Sequence, residues 1–217
     1  MDVIDPPPPA PQPPAPSPLG RLRLALWALV LIAAFGGGAL YFASRQKPPG
    51  AADAYASAYG GSFAMTNQAG RTVTDKSLHG RPYAIFFGFT RCPDVCPTTL
   101  NRMAQLRKKL GADGDKFDIV FVSVDPEHDK REDIGRYVEL FGTPIIGLTG
   151  TDAQIERIVK AFRIYYAKVP IEGGDYTIDH TASIFLIDRE GSFVTTIDHQ
   201  EGDDVAAEKL KRAITQA

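Results

Sequence analysis

Residues 83–97 read YAIFFGFTRCPDVCP. The first seven, Tyr83–Phe89, are a short continuous apolar run, the pattern of a β-strand buried on both faces. Leu100, Met103, Leu106 and Leu110 follow at helical spacing and predict a helix over 98–110 that stops at Gly111. A buried strand, a short turn and a helix make the repeating unit of an α/β sheet, in which ligand chemistry gathers at the carboxyl ends of the strands. The turn at that position holds Cys92 and Cys96, the chain's two cysteines.

The same pattern extends on both sides. Strands are expected over 62–66 and 71–74, joined as a hairpin through Gly70, and over 117–124 (FDIVFVSV). A helix over 133–141 places Ile134, Tyr137, Val138 and Phe141 on one face. A short strand over 144–148 precedes a helix over 152–162, capped by Thr151 or Asp152. Strands over 165–169, 182–188 and 192–198 follow, the last two as a hairpin, and a helix over 203–214 closes the chain. Alternation of strand and helix with a late hairpin predicts an α/β fold whose mixed sheet has a parallel central pair and flanking helices.

The chain has 217 residues, 44% hydrophobic and 23% charged, enough for one sizeable domain behind an unusual N-terminus. Nine of its 17 prolines fall in residues 1–20, which read as a disordered tail. Leu24–Ala43 is an uncharged run of 20 residues (LALWALVLIAAFGGGALYFA). As a helix it would span about 30 Å, the hydrocarbon thickness of a bilayer. Residues 21–44 are therefore expected to form one transmembrane anchor, 45–60 a tether and 61–217 the globular domain. The basic residues Arg21 and Arg23 on one flank balance Arg45 and Lys47 on the other, so flanking charge leaves the orientation tied. A net charge of −2 gives no field of one sign, and nucleic acid is not an expected partner. Neither a phosphate-binding loop nor a dinucleotide fingerprint is present.

Cysteines one helical turn apart at a helix N-terminus can face one point, where the helix dipole favours thiolate over thiol. Pro93 and Pro97 stiffen the turn. Of the four histidines, His79, His128 and His199 read as exposed or locally bonded. His180 differs: it ends a glycine-bearing loop (Gly173, Gly174) just before a buried strand and can reach over the sheet toward the cysteines. Two soft thiolates and one imidazole suit Cu(I), whereas structural zinc would need a fourth ligand. The same cysteines could instead cycle between dithiol and disulfide. A thiol peroxidase is disfavoured, because Phe89 and Pro93 stand three residues before the two cysteines, where threonine is required.

FTRCPDVCP at 89–97, VSVDP at 122–126, GLTG at 147–150 and DHT at 179–181 before IFLID at 184–188 together resemble the Sco/SenC family over about residues 60–217. The resemblance implies a thioredoxin-like fold and a membrane-anchored copper metallochaperone. Such a protein delivers copper to the binuclear centre of cytochrome c oxidase subunit II, and exchange with other copper chaperones fits the same role. It carries ligation of Cu(I), and of Cu(II) as well, onto Cys92, Cys96 and His180. The alternative role is a thiol-disulfide oxidoreductase that uses Cys92 and Cys96 to reduce the acceptor's cysteines for metallation. The family also implies a single-pass protein with its domain in the periplasm or intermembrane space; the bacterial inner membrane and periplasm are expected here, since no Arg/Ser-rich, acid-poor transit peptide precedes the anchor. One departure is Glu127-His128-Asp129, where the family more often has arginine in the middle.

Overall fold

The structure is a computed structural model that describes residues 18–45 and 59–216. The chain divides into two compact units on either side of Gly50. Most of the expected proline-rich tail and nearly all of the expected tether lie outside the described residues.

Among the described residues the N-terminal unit holds one helix of 28 residues, α1 (Pro18–Arg45). Leu24, Trp27, Leu31, Ile32 and Phe35 are exposed large apolar side chains along it. The segment expected to be an anchor is thus helical; among the described residues no helix is long and apolar enough to cross a membrane.

The second unit is built on a seven-stranded sheet. Its strands are β1 (Ala64–Asn67), β2 (Thr72–Thr74), β3 (Tyr83–Gly88), β4 (Asp118–Ser123), β5 (Ile146–Thr149), β8 (Ile184–Ile187) and β9 (Phe193–Ile197), in the order β2-β1-β5-β4-β3-β8-β9. β3 pairs in parallel with β4, and β4 with β5. All other pairs are antiparallel, so the sheet is mixed, as expected. Every residue of β3 is buried, which is why it reads as an unbroken apolar run. Helices α2 (Val95–Lys109), α3 (Arg131–Glu139), α4 (Asp152–Phe162) and α5 (Asp203–Thr215) supply the connections and close the chain. Phe86, Phe87, Phe121 and Phe162 are fully buried in the core, with Phe87 and Phe162 ring to ring at 5.3 Å. This is the thioredoxin-like arrangement.

Helix starts follow their caps. Thr151 caps α4 by accepting from the Gln154 N–H, while the Gln154 side chain accepts from the Thr151 N–H at 2.8 Å. At α3 the Asp133 carboxylate accepts from the Lys130 N–H at 3.0 Å, which moves the start two residues ahead of the expected 133.

Two expectations are corrected near the cysteines. Helix α2 begins at Val95 rather than Thr98, so Pro97 lies inside its first turn, where the missing N–H costs no intrahelical bond. Cys96 is therefore a residue of the helix, and only Cys92 remains in the turn. The strand expected over 165–169 is present, but the stretch that ends at His180 is also a strand rather than a loop. Tyr166–Pro170 (β6) and Tyr176–His180 (β7) pair antiparallel as a two-stranded sheet of their own, and His180 ends β7, opposite Tyr166.

Candidate metal centre

Three chain segments meet at the carboxyl end of β3. Gly88 ends the strand, Cys92 sits in the turn, and Cys96 opens α2, where it is completely buried. Both thiols are free, Cys92 being half-buried. From the other side β7 brings His180. Its Nε2 lies 3.4 Å from the Cys96 Sγ, and the ligand atoms of Cys92, Cys96 and His180 all lie within 4.8 Å of one another. Donors about 2.0–2.3 Å from an ion they share sit roughly 3.3–4.2 Å apart, so the set fits one soft metal ion with little adjustment. All three site residues expected from sequence are thus brought together.

Imidazole orientation follows from its second nitrogen. His180 Nδ1 lies 3.0 Å from the Thr181 carbonyl, which can only accept. Nδ1 therefore carries the proton, and Nε2 turns its lone pair to the cysteines. The rings of Phe86 and Phe89 stand edge-on to the imidazole, each at 6.0 Å, and limit its swing.

The two sulfurs have different chemistry. The Cys92 thiol is pushed down to about 4, chiefly because the Cys96 thiol donates to its sulfur, with the Cys96 and Asp94 N–H groups adding to it. The Cys96 N–H reaches that sulfur at 3.4 Å, as expected of a helix N-terminus. Cys96 is pushed the other way, by holding its proton for Cys92 and by burial. In the metal-free, reduced state Cys92 is the thiolate and Cys96 the thiol. A cavity of about 180 Å³ opens beside Cys92, with Phe89, Thr177 and His180 also in its wall.

One buried group escaped sequence reading. The carboxylate of Asp129, fully buried, accepts from the Thr90 N–H (2.9 Å), the Thr90 hydroxyl (2.6 Å) and the Ser123 hydroxyl (2.6 Å). It fixes the start of the cysteine turn to the ends of β3 and β4; burial raises its pKa. His79 and His199 are exposed and far from any role in the site. His128 is locally bonded, its Nδ1 3.1 Å from Asp125 and 2.9 Å from Arg91. Asp125, Glu127 and His128 also cluster closely enough for a metal ion. Arg91 and Lys168 already supply the positive charge there, paired with Asp125 and Glu127 respectively.

A thioredoxin-like domain that presents two cysteines and a histidine to one point defines a metal- or thiol-handling protein. The family described as SCO1/SenC matches residues 51–215, and the chain belongs to that family. It is 40% identical over 138 residues to the human protein SCO1 homolog, mitochondrial, covering 62% of this chain and 46% of that protein. The chain spans about half the length of the curated relatives it matches. Bradyrhizobium japonicum ScoI, solved with copper bound, shares 46% identity at a TM-score of 0.67, covering 72% of this chain and 99% of that one. BsSco, described as a member of the Sco family of cytochrome c oxidase assembly proteins with a disulfide switch, shares 29% identity at a TM-score of 0.58, covering 73% and 95%.

Proposed function

We propose that this protein is a copper metallochaperone that holds copper between Cys92, Cys96 and His180 and serves assembly of cytochrome c oxidase. The observation that carries the reading is the convergence of the three donor atoms within 4.8 Å, with Cys92 and His180 lining an open cavity. A soft dithiolate with one neutral imidazole favours Cu(I), and the complex has a formal charge of −1. Cys92 already stands as thiolate, so loading releases essentially one proton, from Cys96. Transfer proceeds by ligand exchange: an acceptor thiolate enters from the cavity while the half-buried Cys92 leaves first. The acceptor in this reading is subunit II. Support comes from family membership and from the copper-bound and oxidase-assembly descriptions of its relatives.

Residues 21–44 act in this reading as a membrane anchor that leaves the domain in a bacterial periplasm. The uncharged run over 24–43 and the exposed apolar side chains of α1 support it.

The asymmetry of the thiols favours a second reading, thiol-disulfide exchange. The Cys92 thiolate attacks a disulfide sulfur of the acceptor and expels one acceptor thiolate. Cys96, giving up its proton, then attacks the Cys92 sulfur and releases the second. Two electrons pass to the acceptor, and the pair ends as a Cys92–Cys96 disulfide.

Copper titration of the fully reduced full-length chain without oxygen tests the first reading. One Cu(I) per chain is expected for the wild type, with weakened binding in Cys92→Ala, Cys96→Ala and His180→Ala. No stoichiometric uptake by the wild type would overturn it. Thiol exchange retained in His180→Ala alongside lost copper would separate the two roles.

A further inference from the structure

The cysteine turn and the strand that carries His180 are separate pieces of chain, and one residue bridges them beside the site. Arg91 directly precedes Cys92. Its guanidinium donates to the Asp175 carboxylate at 2.7 Å, at the start of β7. It also reaches His128 Nδ1 at 2.9 Å and Asp125 at 3.4 Å. Next to Asp175, the Tyr176 ring meets two cations, the Arg91 guanidinium 5.5 Å and the Lys168 ammonium 4.1 Å from its centre. The Tyr176 hydroxyl donates to Asp125 at 2.6 Å, with Glu127 at 2.7 Å. Asp125 is fully buried, so these bonds fasten the hairpin to a fixed point of the domain.

The β6–β7 sheet is not hydrogen-bonded into the main sheet. At its base the Thr181 N–H donates to the Tyr165 carbonyl at 3.0 Å, and midway Ile178 is buried. Its tip, by contrast, is exposed at Val169 and Ile171. What closes the tip against the cysteine turn is the pair Arg91 and Tyr176.

We propose that Arg91 and Tyr176 are positioning residues: they latch β7 to the turn before Cys92 and so fix the spacing between Cys92 and His180. Neither touches the donor atoms, and both act through the backbone that carries them. The fork of the guanidinium matters more than its charge, because one ammonium cannot meet Asp175, Asp125 and His128 together. For its metal arm alone, the inference rests on the copper reading given above.

The test uses the full-length, reduced chain in two measurements. Amide hydrogen exchange of the metal-free protein is compared for 176–180 and for the cores of β3 and β4. Arg91→Ala and Tyr176→Ala are expected to exchange about 10-fold faster in β7 with β3 and β4 unchanged. Tyr176→Phe, which keeps the ring and its two cations, should fall between, and Arg91→Lys should follow Arg91→Ala. Competition for Cu(I) with a chromophoric chelator should show affinity lowered about 10-fold in the alanine variants, as for residues that orient metal ligands. Exchange and affinity within about twofold of wild type in both alanine variants would overturn the latch. So would full rescue by Arg91→Lys, or acceleration spread equally over β3 and β4. A wild type that takes up no copper would count against the site's function, while the metal-free exchange still decides the latch.

Discussion

A Cβ placed on Gly88 would stand 2.7 Å from the Cys96 sulfur and 3.1 Å from the Phe121 ring. The end of β3 is thus bare so that α2 can seat its first-turn cysteine against the strand. Gly88→Ala is expected to force out the sulfur or the rings and to destabilise the domain by about 1–3 kcal/mol, the usual cost of overpacking. Thermal denaturation against wild type measures the loss, and copper titration shows whether Cys96 still reaches the site. A variant with unchanged melting temperature and copper binding would contradict the packing described.

Cys92 gives a pH prediction with a definite sign. Its pKa is lowered to about 4, so the metal-free, reduced protein keeps a thiolate there throughout the neutral and mildly acidic range. Alkylation of Cys92 by iodoacetamide should be nearly flat from about pH 8 to pH 5 and fall as the pH drops through about 4, whereas a thiol near the ordinary value of about 8.5 would lose reactivity tenfold per unit throughout. Cys96→Ala removes the main hydrogen-bond donor to that sulfur and should move the profile to higher pH. Mass spectrometry of the labelled peptide reads both outcomes.

Asp129 should matter for stability without touching the site. Asp129→Asn puts an amide with a single accepting oxygen where three donors converge, leaving at least one buried donor unpaired. The expected loss is about 1–3 kcal/mol for each donor so stranded. Urea denaturation of the metal-free protein checks it; a loss below about 0.5 kcal/mol would mean the three bonds do not hold the turn.

The main sheet and the ligand set were legible because their signals are local. β3 and β4 are buried on both faces and read as apolar runs, and the helix over 152–162 carries its capping box in Thr151 and Gln154. What escaped depends on distant chain. The strand expected over 165–169 is β6, Tyr166–Pro170, but its partner Tyr176–His180 is only five residues long with a single buried position, so neither an alternation nor an apolar run marked the second strand of the pair. Pro97 read as part of the stiff turn ahead of the helix, although proline is tolerated in a first turn. Asp129 and Arg91 sit in polar stretches and find their partners 39 and 84 residues away, beyond the reach of any periodicity. His180 was found through the family's motif and its neighbouring strand; its β7 setting was not.

The central claim is that Cys92, Cys96 and His180 share one copper ion. X-ray absorption at the copper edge, on the full-length chain loaded with one Cu(I) under reducing conditions, tests it most directly. Two sulfur neighbours and one nitrogen are expected in the wild type, with the nitrogen lost in His180→Ala and one sulfur lost in Cys96→Ala. A wild-type spectrum with fewer than two sulfur neighbours, or one left unchanged by His180→Ala, would contradict the account.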